Sequence, residues 1–279
     1  MTNFHGDDVQ PSSPDKAFFH IIPVPYEASV SYGHGTAQGP QTILEASAQL
    51  ELFDGHGIPA ERGIYTAPAV DCSGTREEVW ARIETAVAGA LAAGGMPVVL
   101  GGEHSLTSAV VKAVAEKYGR IGVVQFDAHA DLRDSYEGSI WSHASVMKRI
   151  HDMGIPIYQI GTRSYCMEEH TLRAKDSIPY VDAERLAAEG LDAVQLPADF
   201  PEHIFITFDI DALDGAIMPA TGTPVPGGLS WYQAQWLVRR ICRERKCVGF
   251  DVVEYAPIDG FHAFDFAAAQ LVYNIMGSV

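Results

Sequence analysis

The sequence predicts an α/β fold, a parallel sheet covered by helices on both faces, and three observations carry that prediction. Short apolar runs recur along the chain, each is followed by a polar or Gly-rich turn, and helical patterns with identifiable ends lie between them. The runs are Phe18 to Val24, Met96 to Leu100, Ile121 to Phe126, Ile155 to Ile160, His203 to Phe208 and Val248 to Val253. They are predominantly apolar rather than alternating, as strands buried on both faces are. Thr75 with Glu78 makes a capping box, after which Val79, Ile83, Val87 and Leu91 fall on one face until Gly94-Gly95 stops the helix. Ser230 with Gln233 makes a second box. Its helix carries Leu237, Val238 and Ile241 as a stripe, and Arg239, Arg240, Arg243 and Arg245 crowd the C-terminal half, where the helix dipole favours cations. Ligand sites in open sheets of this kind gather beyond the carboxyl ends of the strands.

Composition narrows the class of partner. With 279 residues, 47% hydrophobic and 20% charged, the chain has the make-up of an ordinary globular protein with a sizeable core. No internal repeat or linker divides it, so residues 17–279 are expected to form a single domain. Residues 1–16 lack a basic start and an apolar run; they read as a flexible N-terminal tail rather than a signal peptide. A net charge of −17 repels nucleic acid and anionic membranes; the same field favours approach of a small cation, although acidic surfaces more commonly serve only solubility, so charge alone decides little. No apolar stretch approaches the roughly 20 residues of a membrane span. Cys72, Cys166, Cys242 and Cys247 form neither a C-x-x-C motif nor a dense disulfide framework, which fits reduced thiols and a cytoplasmic location.

Three of the predicted strand ends carry polar clusters. Asp127-Ala-His-Ala-Asp131 follows Phe126, Asp209-Ile-Asp211 follows Phe208, and Gly101-Gly102-Glu103-His104 follows Leu100. Spacing of i, i+2, i+4 on extended backbone projects Asp127, His129 and Asp131 to one side. In isolation Asp127 reads equally as a helix cap and His129 as a loop histidine; three clusters at strand ends weigh against that reading. Sharing one site, four carboxylates and two imidazoles would repel strongly and raise their own pKa values without cations. Four negative charges balance two divalent ions. Oxygen-rich ligands with some imidazole suit Mn²⁺, with Fe, Co, Ni and Zn as alternatives. Asp127 and Asp209, at the head of their clusters, are expected to bridge the ions. Metal binding lowers the pKa of a shared water toward neutrality.

Taken in order, these motifs resemble the ureohydrolase family of arginases and agmatinases. The resemblance spans nearly the whole chain, from Val24-Pro-Tyr-Glu and Gly35-Thr-Ala-Gln-Gly-Pro40, through Gly-Gly-Glu-His-Ser105 and Asp-Ala-His-Ala-Asp131, to Phe-Asp-Ile-Asp211 and Thr221-Gly-Thr-Pro-Val-Pro-Gly-Gly228. It implies a three-layer α/β/α fold around an eight-stranded parallel sheet and a dimanganese centre. One ion is implied on His104, Asp127, Asp131 and Asp209, the other on Asp127, His129, Asp209 and Asp211. It also implies that His143, in Trp141-Ser-His-Ala, relays protons near the site entrance. Glu254, in Asp251-Val-Val-Glu-Tyr-Ala-Pro257, is implied to grip the substrate guanidinium, a planar fork that matches two carboxylate oxygens. A homo-oligomer, trimer or hexamer, comes from the same resemblance.

Which guanidine is cut rests on the segment after Asp131. Arginases commonly place an asparagine there for an α-carboxylate, whereas this chain reads Leu132-Arg-Asp-Ser-Tyr-Glu-Gly138, similar to the agmatinase branch and its polyamine-biosynthesis members. Agmatine, giving urea and putrescine, is the first expectation. N1-aminopropylagmatine, giving spermidine, is the second, and guanidinobutyrate or arginine would use Arg133 as a carboxylate partner. Asp134 and Glu137 are candidate partners for a cationic tail. Asp214-Gly215 departs from the family's usual Asp-Pro. Two other classes remain alternatives at this point: a single-zinc deacetylase of related fold, and a non-catalytic metal-binding protein.

Overall fold

The computed structural model describes residues 2–279. Eight strands, β1 (Phe19–Val24), β2 (Ile64–Thr66), β3 (Met96–Gly101), β4 (Ile121–Phe126), β5 (Ile157–Ile160), β6 (Tyr180–Val181), β7 (His203–Asp209) and β8 (Lys246–Val253), form one sheet in the order β2-β1-β3-β8-β7-β4-β5-β6. Every pairing is parallel. The α-helices are α1 (Gly39–Ser47), α2 (Arg76–Ala92), α3 (Thr107–Tyr118), α4 (Val146–Asp152), α5 (Met167–Lys175), α6 (Ala183–Glu189), α7 (Trp231–Glu244) and α8 (His262–Met276).

Alternate residues of each central strand feed two separate cores. Val98, Leu100, Val124, Phe126, Ile204, Ile206 and Phe208 pack with Ile43 of α1, Leu237 and Ile241 of α7 and Leu271 of α8. Val99, Val123, Ile157 and Phe205 pack on the opposite face with Val79, Ile83 and Val87 of α2, Val110 and Val114 of α3 and Met147 and Ile150 of α4. The molecule is therefore the three-layer α/β/α sandwich expected, with a sheet apolar on both sides.

All six predicted runs are strands. Both capping boxes are present: the Thr75 hydroxyl accepts from Glu78 N at 3.4 Å and Glu78 Oε2 accepts from Thr75 N at 2.8 Å, while Ser230 and Gln233 do the same for α7. The arginines of α7 do more than answer the dipole. Arg240 donates to the carbonyls of Leu191 and Val194, and Arg245 to that of Pro197, tying the helix to the loop before β7. The edge strands β2 and β6 have three and two residues, too short to leave an apolar run in the sequence.

The flexible-tail expectation for residues 1–16 is corrected at residues 4 and 5. Phe4 and His5 are buried, and their backbone N–H groups donate to Thr66 Oγ1 and Ser47 Oγ at 3.0 and 2.9 Å. The cause is packing that the local sequence does not announce: His5 stacks edge-on against Tyr273 of α8, and Phe4 lies beside it. Among the described residues no helix is long and apolar enough to cross a membrane.

Candidate metal centre and cleft

The strand order places β3 and β4 on either side of β8 and β7, and the carboxyl ends of these four central strands bring the polar clusters together. His104 comes from the turn after β3, Asp127, His129 and Asp131 from the loop after β4, Asp209 and Asp211 from the end of β7, and Glu254 from the residue after β8. Neither Asp cluster continues as extended backbone. Asp127 Oδ1 accepts the N–H of His129 at 2.6 Å and Asp209 Oδ1 that of Asp211 at 2.9 Å, so each strand ends in a turn closed by its own aspartate. Asp131 (φ 52) and Glu254 (φ 62) occupy the left-handed region, sparsely used by residues with a side chain and a sign of backbone held by its surroundings.

Two ligand clusters result, and Asp127 belongs to both: His104, Asp127 and Asp209 offer ligand atoms at one, Asp127, His129 and Asp211 at the other. His104 Nδ1 faces Asp127 Oδ2 at 3.2 Å, Asp131 Oδ2 at 3.1 Å and Asp209 Oδ2 at 3.4 Å. His129 Nδ1 faces Asp211 Oδ2 at 3.0 Å and Asp127 Oδ1 at 3.5 Å. Asp131 thus adds a fourth group at the first cluster, and all six predicted residues meet within one site.

The arrangement calls for positive charge. His104 Nδ1 is fully buried and has no hydrogen-bond partner among the described residues, although three carboxylates surround it. Its other nitrogen, Nε2, lies 2.8 Å from Thr207 Oγ1; with the proton on Nε2, the Nδ1 lone pair points into the cluster. Burial and the neighbouring carboxylates push Asp131 up to about 7 and Asp209 well above its ordinary value. Burial opposes charge on the imidazoles, but Asp211 and Asp127 outweigh it and drive His129 up to about 12. Crowded carboxylates raised in this way are stabilised by a cation placed among them. The donor set, carboxylate oxygens with two imidazole nitrogens, fits a pair of divalent ions.

A cleft of about 270 Å³ opens above the site. His129, Asp131 and His143 lie along it, with Ser31, Tyr136, Tyr165, Cys166 and Thr223 among its walls. His143 Nε2 is 2.9 Å from Ser31 Oγ, and its Nδ1 is 3.3 Å from the hydroxyls of both Ser29 and Ser142. Burial lowers its pKa from the ordinary histidine value, which favours the neutral imidazole. Glu254 sits deeper, outside the residues lining the cleft, with Oε1 accepting the backbone N–H of His104 at 2.6 Å. Burial, with Glu103 adding repulsion, raises its carboxyl to about 8.

The entrance acids behave differently from expectation. Asp134 is exposed, pairs with Arg149 at 3.2 Å and does not line the cleft; Glu137 does not line it either. Arg133 and the buried Glu169 do. Sequence reading also missed Glu103, which is fully buried and accepts from the backbone of Ala28 and Ser29 and from the hydroxyls of Ser29 and Ser105. Ser29 Oγ in turn accepts from His143 N at 3.0 Å, so Glu103 holds the loop that holds the histidine. An acid beside a predicted ligand was the available signal. Gln125 and Gln159, each a lone amide in an apolar strand, were another.

Fold and site together define an α/β/α protein with a candidate metal centre on the rim of its parallel sheet. The comparisons specify it: the arginase family model matches residues 17–277, and the chain belongs to that family of carbon–nitrogen hydrolases. It is 39% identical over 260 residues to the N(1)-aminopropylagmatine ureohydrolase of Thermus thermophilus, covering 92% of this chain and 88% of that one. To the agmatinase of Pyrococcus horikoshii it is 33% identical over 269 residues, covering 94% and 92%. The crystal structure of agmatine ureohydrolase of Thermoplasma volcanium superposes with a TM-score of 0.88 at 28% identity, covering 100% of this chain and 94% of that one.

Proposed function

We propose that this chain is a binuclear manganese ureohydrolase that splits the guanidinium of an agmatine-type substrate into urea and a primary amine. The observation that carries the reading is the pair of ligand clusters joined through Asp127 beneath an open cleft. His104, Asp127, Asp131 and Asp209 would hold one ion, and Asp127, His129, Asp209 and Asp211 the other. Two Mn²⁺ ions would lower the pKa of the attacking water and offset the negative charge that develops on its oxygen.

The side chains do the rest. Glu254, ionised once cations and a guanidinium neutralise its surroundings, orients the planar N–H fork over the site. Asp131, which reaches the cleft, takes the proton of the attacking water and passes it to the departing nitrogen. His143, neutral and bonded to serines at the cleft wall, exchanges that proton with solvent.

Agmatine, giving putrescine, is the primary substrate of this reading. N1-aminopropylagmatine, giving spermidine, is a second reading, favoured by 39% and 37% identity to ureohydrolases of that name against 33% to an agmatinase. With Asp134 turned away from the cleft, neither choice rests on that acid. A cytoplasmic homo-oligomer, trimer or hexamer, completes the proposal, supported by the family resemblance and, for location, by four free cysteines. The test is kcat/KM for urea formation with agmatine, N1-aminopropylagmatine, guanidinobutyrate and arginine on the Mn²⁺-loaded protein. Preference for either of the first two supports the reading; preference for arginine overturns it.

A further inference from the structure

We propose that Gln125, Gln159 and Arg173 form a one-way hydrogen-bond relay that fixes the aim of Asp127, and that Gln159 and Arg173 are positioning residues acting through Gln125. The inference rests on the reading that cations occupy the two clusters sharing Asp127.

Gln125 of β4 and Gln159 of β5 are register partners, so their side chains project to the same face of the sheet. Both are fully buried, one residue below strand ends made otherwise of apolar side chains. Arg173 of α5 is also buried, an expensive place for a guanidinium unless each N–H is used. Its Nε donates to Gln159 Oε1 at 2.7 Å, and its other nitrogens donate to Thr162 Oγ1 at 2.7 Å and Asp182 Oδ1 at 3.0 Å. The rings of Tyr165 and Tyr180 lie 4.8 and 4.4 Å from its guanidinium carbon.

A guanidinium has donors only, and that sets the direction of every later bond. Gln159 must turn its oxygen to Arg173, which leaves its NH₂ to donate to Gln125 Oε1 at 2.5 Å and to the carbonyl of Ala130 at 2.7 Å. Gln125 must then turn its own NH₂ to Asp127 Oδ2, at 2.7 Å. A flipped Gln125 would set a carbonyl oxygen against a carboxylate. Oδ2 is the oxygen that faces His104, while Oδ1, which faces His129, is fixed by the His129 N–H at 2.6 Å. One donor therefore pins each oxygen of the shared carboxylate, and each oxygen stays turned toward its own cluster. Outer partners of this kind typically change metal affinity by about 10–100-fold when removed.

The experiment is a Mn²⁺ titration of the full metal-free chain, by calorimetry and chelator competition, for wild type, Gln125→Met, Gln159→Met, the double variant and Gln159→Glu. The relay predicts that Gln125→Met and Gln159→Met each weaken both ions, which share Asp127, by roughly 10-fold or more. The double variant should lose less than the sum of the two single losses, because Gln159 reaches Asp127 through Gln125, its bond to the Ala130 carbonyl being a separate contribution. Gln159→Glu keeps the acceptor for Arg173 and loses the donor to Gln125, so it should weaken binding too; it also carries the test if Gln159→Met does not fold. A purely structural role predicts a lower Tm with affinity unchanged. Wild-type affinity in the Gln159 variants, or additive losses in the double variant, overturns the relay while leaving the metal reading intact. A wild-type chain that binds no Mn²⁺ sinks both.

Discussion

Glu254 shows how a single residue is committed twice. Its Oε1 accepts the His104 N–H, its backbone N–H donates to Gly102 O at 2.8 Å, and its φ of 62 is held by those neighbours. Glu254→Gln keeps the volume and the acceptor but removes the charge that the proposed guanidinium contact needs. Loss of a charge-assisted hydrogen bond costs about 1.5–3 kcal/mol, so kcat/KM should fall by at least ~10-fold. Metal stoichiometry should not change. An unaltered kcat/KM would remove Glu254 from substrate binding. The six candidate ligands were legible because their types stand at strand ends in a fixed spacing. Glu103 and Ser29 were not: they lie 74 positions apart, and only the closed fold makes one the support of the other.

At the scale of elements, the turn after β3 and the start of α2 respond differently to small changes. A Cβ on Gly102 would lie 2.0 Å from the carbonyl oxygen of Tyr26, which is backbone and cannot swing aside. Overpacking of this kind costs about 1–3 kcal/mol, and here the shift also drags the carbonyl that holds Glu254. Gly102→Ala should therefore lower both Tm and the rate of urea release. Thr75→Ala removes only a helix cap, worth about 0.5–2 kcal/mol, and should lower Tm while leaving kcat unchanged. Equal effects of the two on kcat would contradict this separation. The long central strands and both caps were readable from apolar runs and local side-chain chemistry. The edges β2 and β6 were not, since two or three residues carry no periodicity and are held by pairing with β1 and β5.

Over the whole molecule, the N-terminal segment belongs to the packed body at Phe4 and His5. Burial holds His5 down at about 4, with Asp8 opposing weakly. Because the folded pKa lies below the unfolded value of 6.5, the unfolded chain takes the proton first. The stability is present above pH 6.5 and is lost as the pH falls toward 4, a difference of roughly 3 kcal/mol. His5→Leu should flatten the fall in Tm between pH 7 and pH 4.5 relative to wild type; an identical fall would mean that His5 is accessible when protonated. This segment was missed because composition shows only whether a stretch can make its own core, not whether it completes another.

The most direct measurement is the Mn²⁺ stoichiometry of the metal-free wild-type chain beside Asp127→Ala. Because Asp127 belongs to both clusters, the account predicts two ions per wild-type chain and weakened binding of both in the variant. One ion or none in the wild type, or a variant that retains two with unchanged affinity, would contradict it.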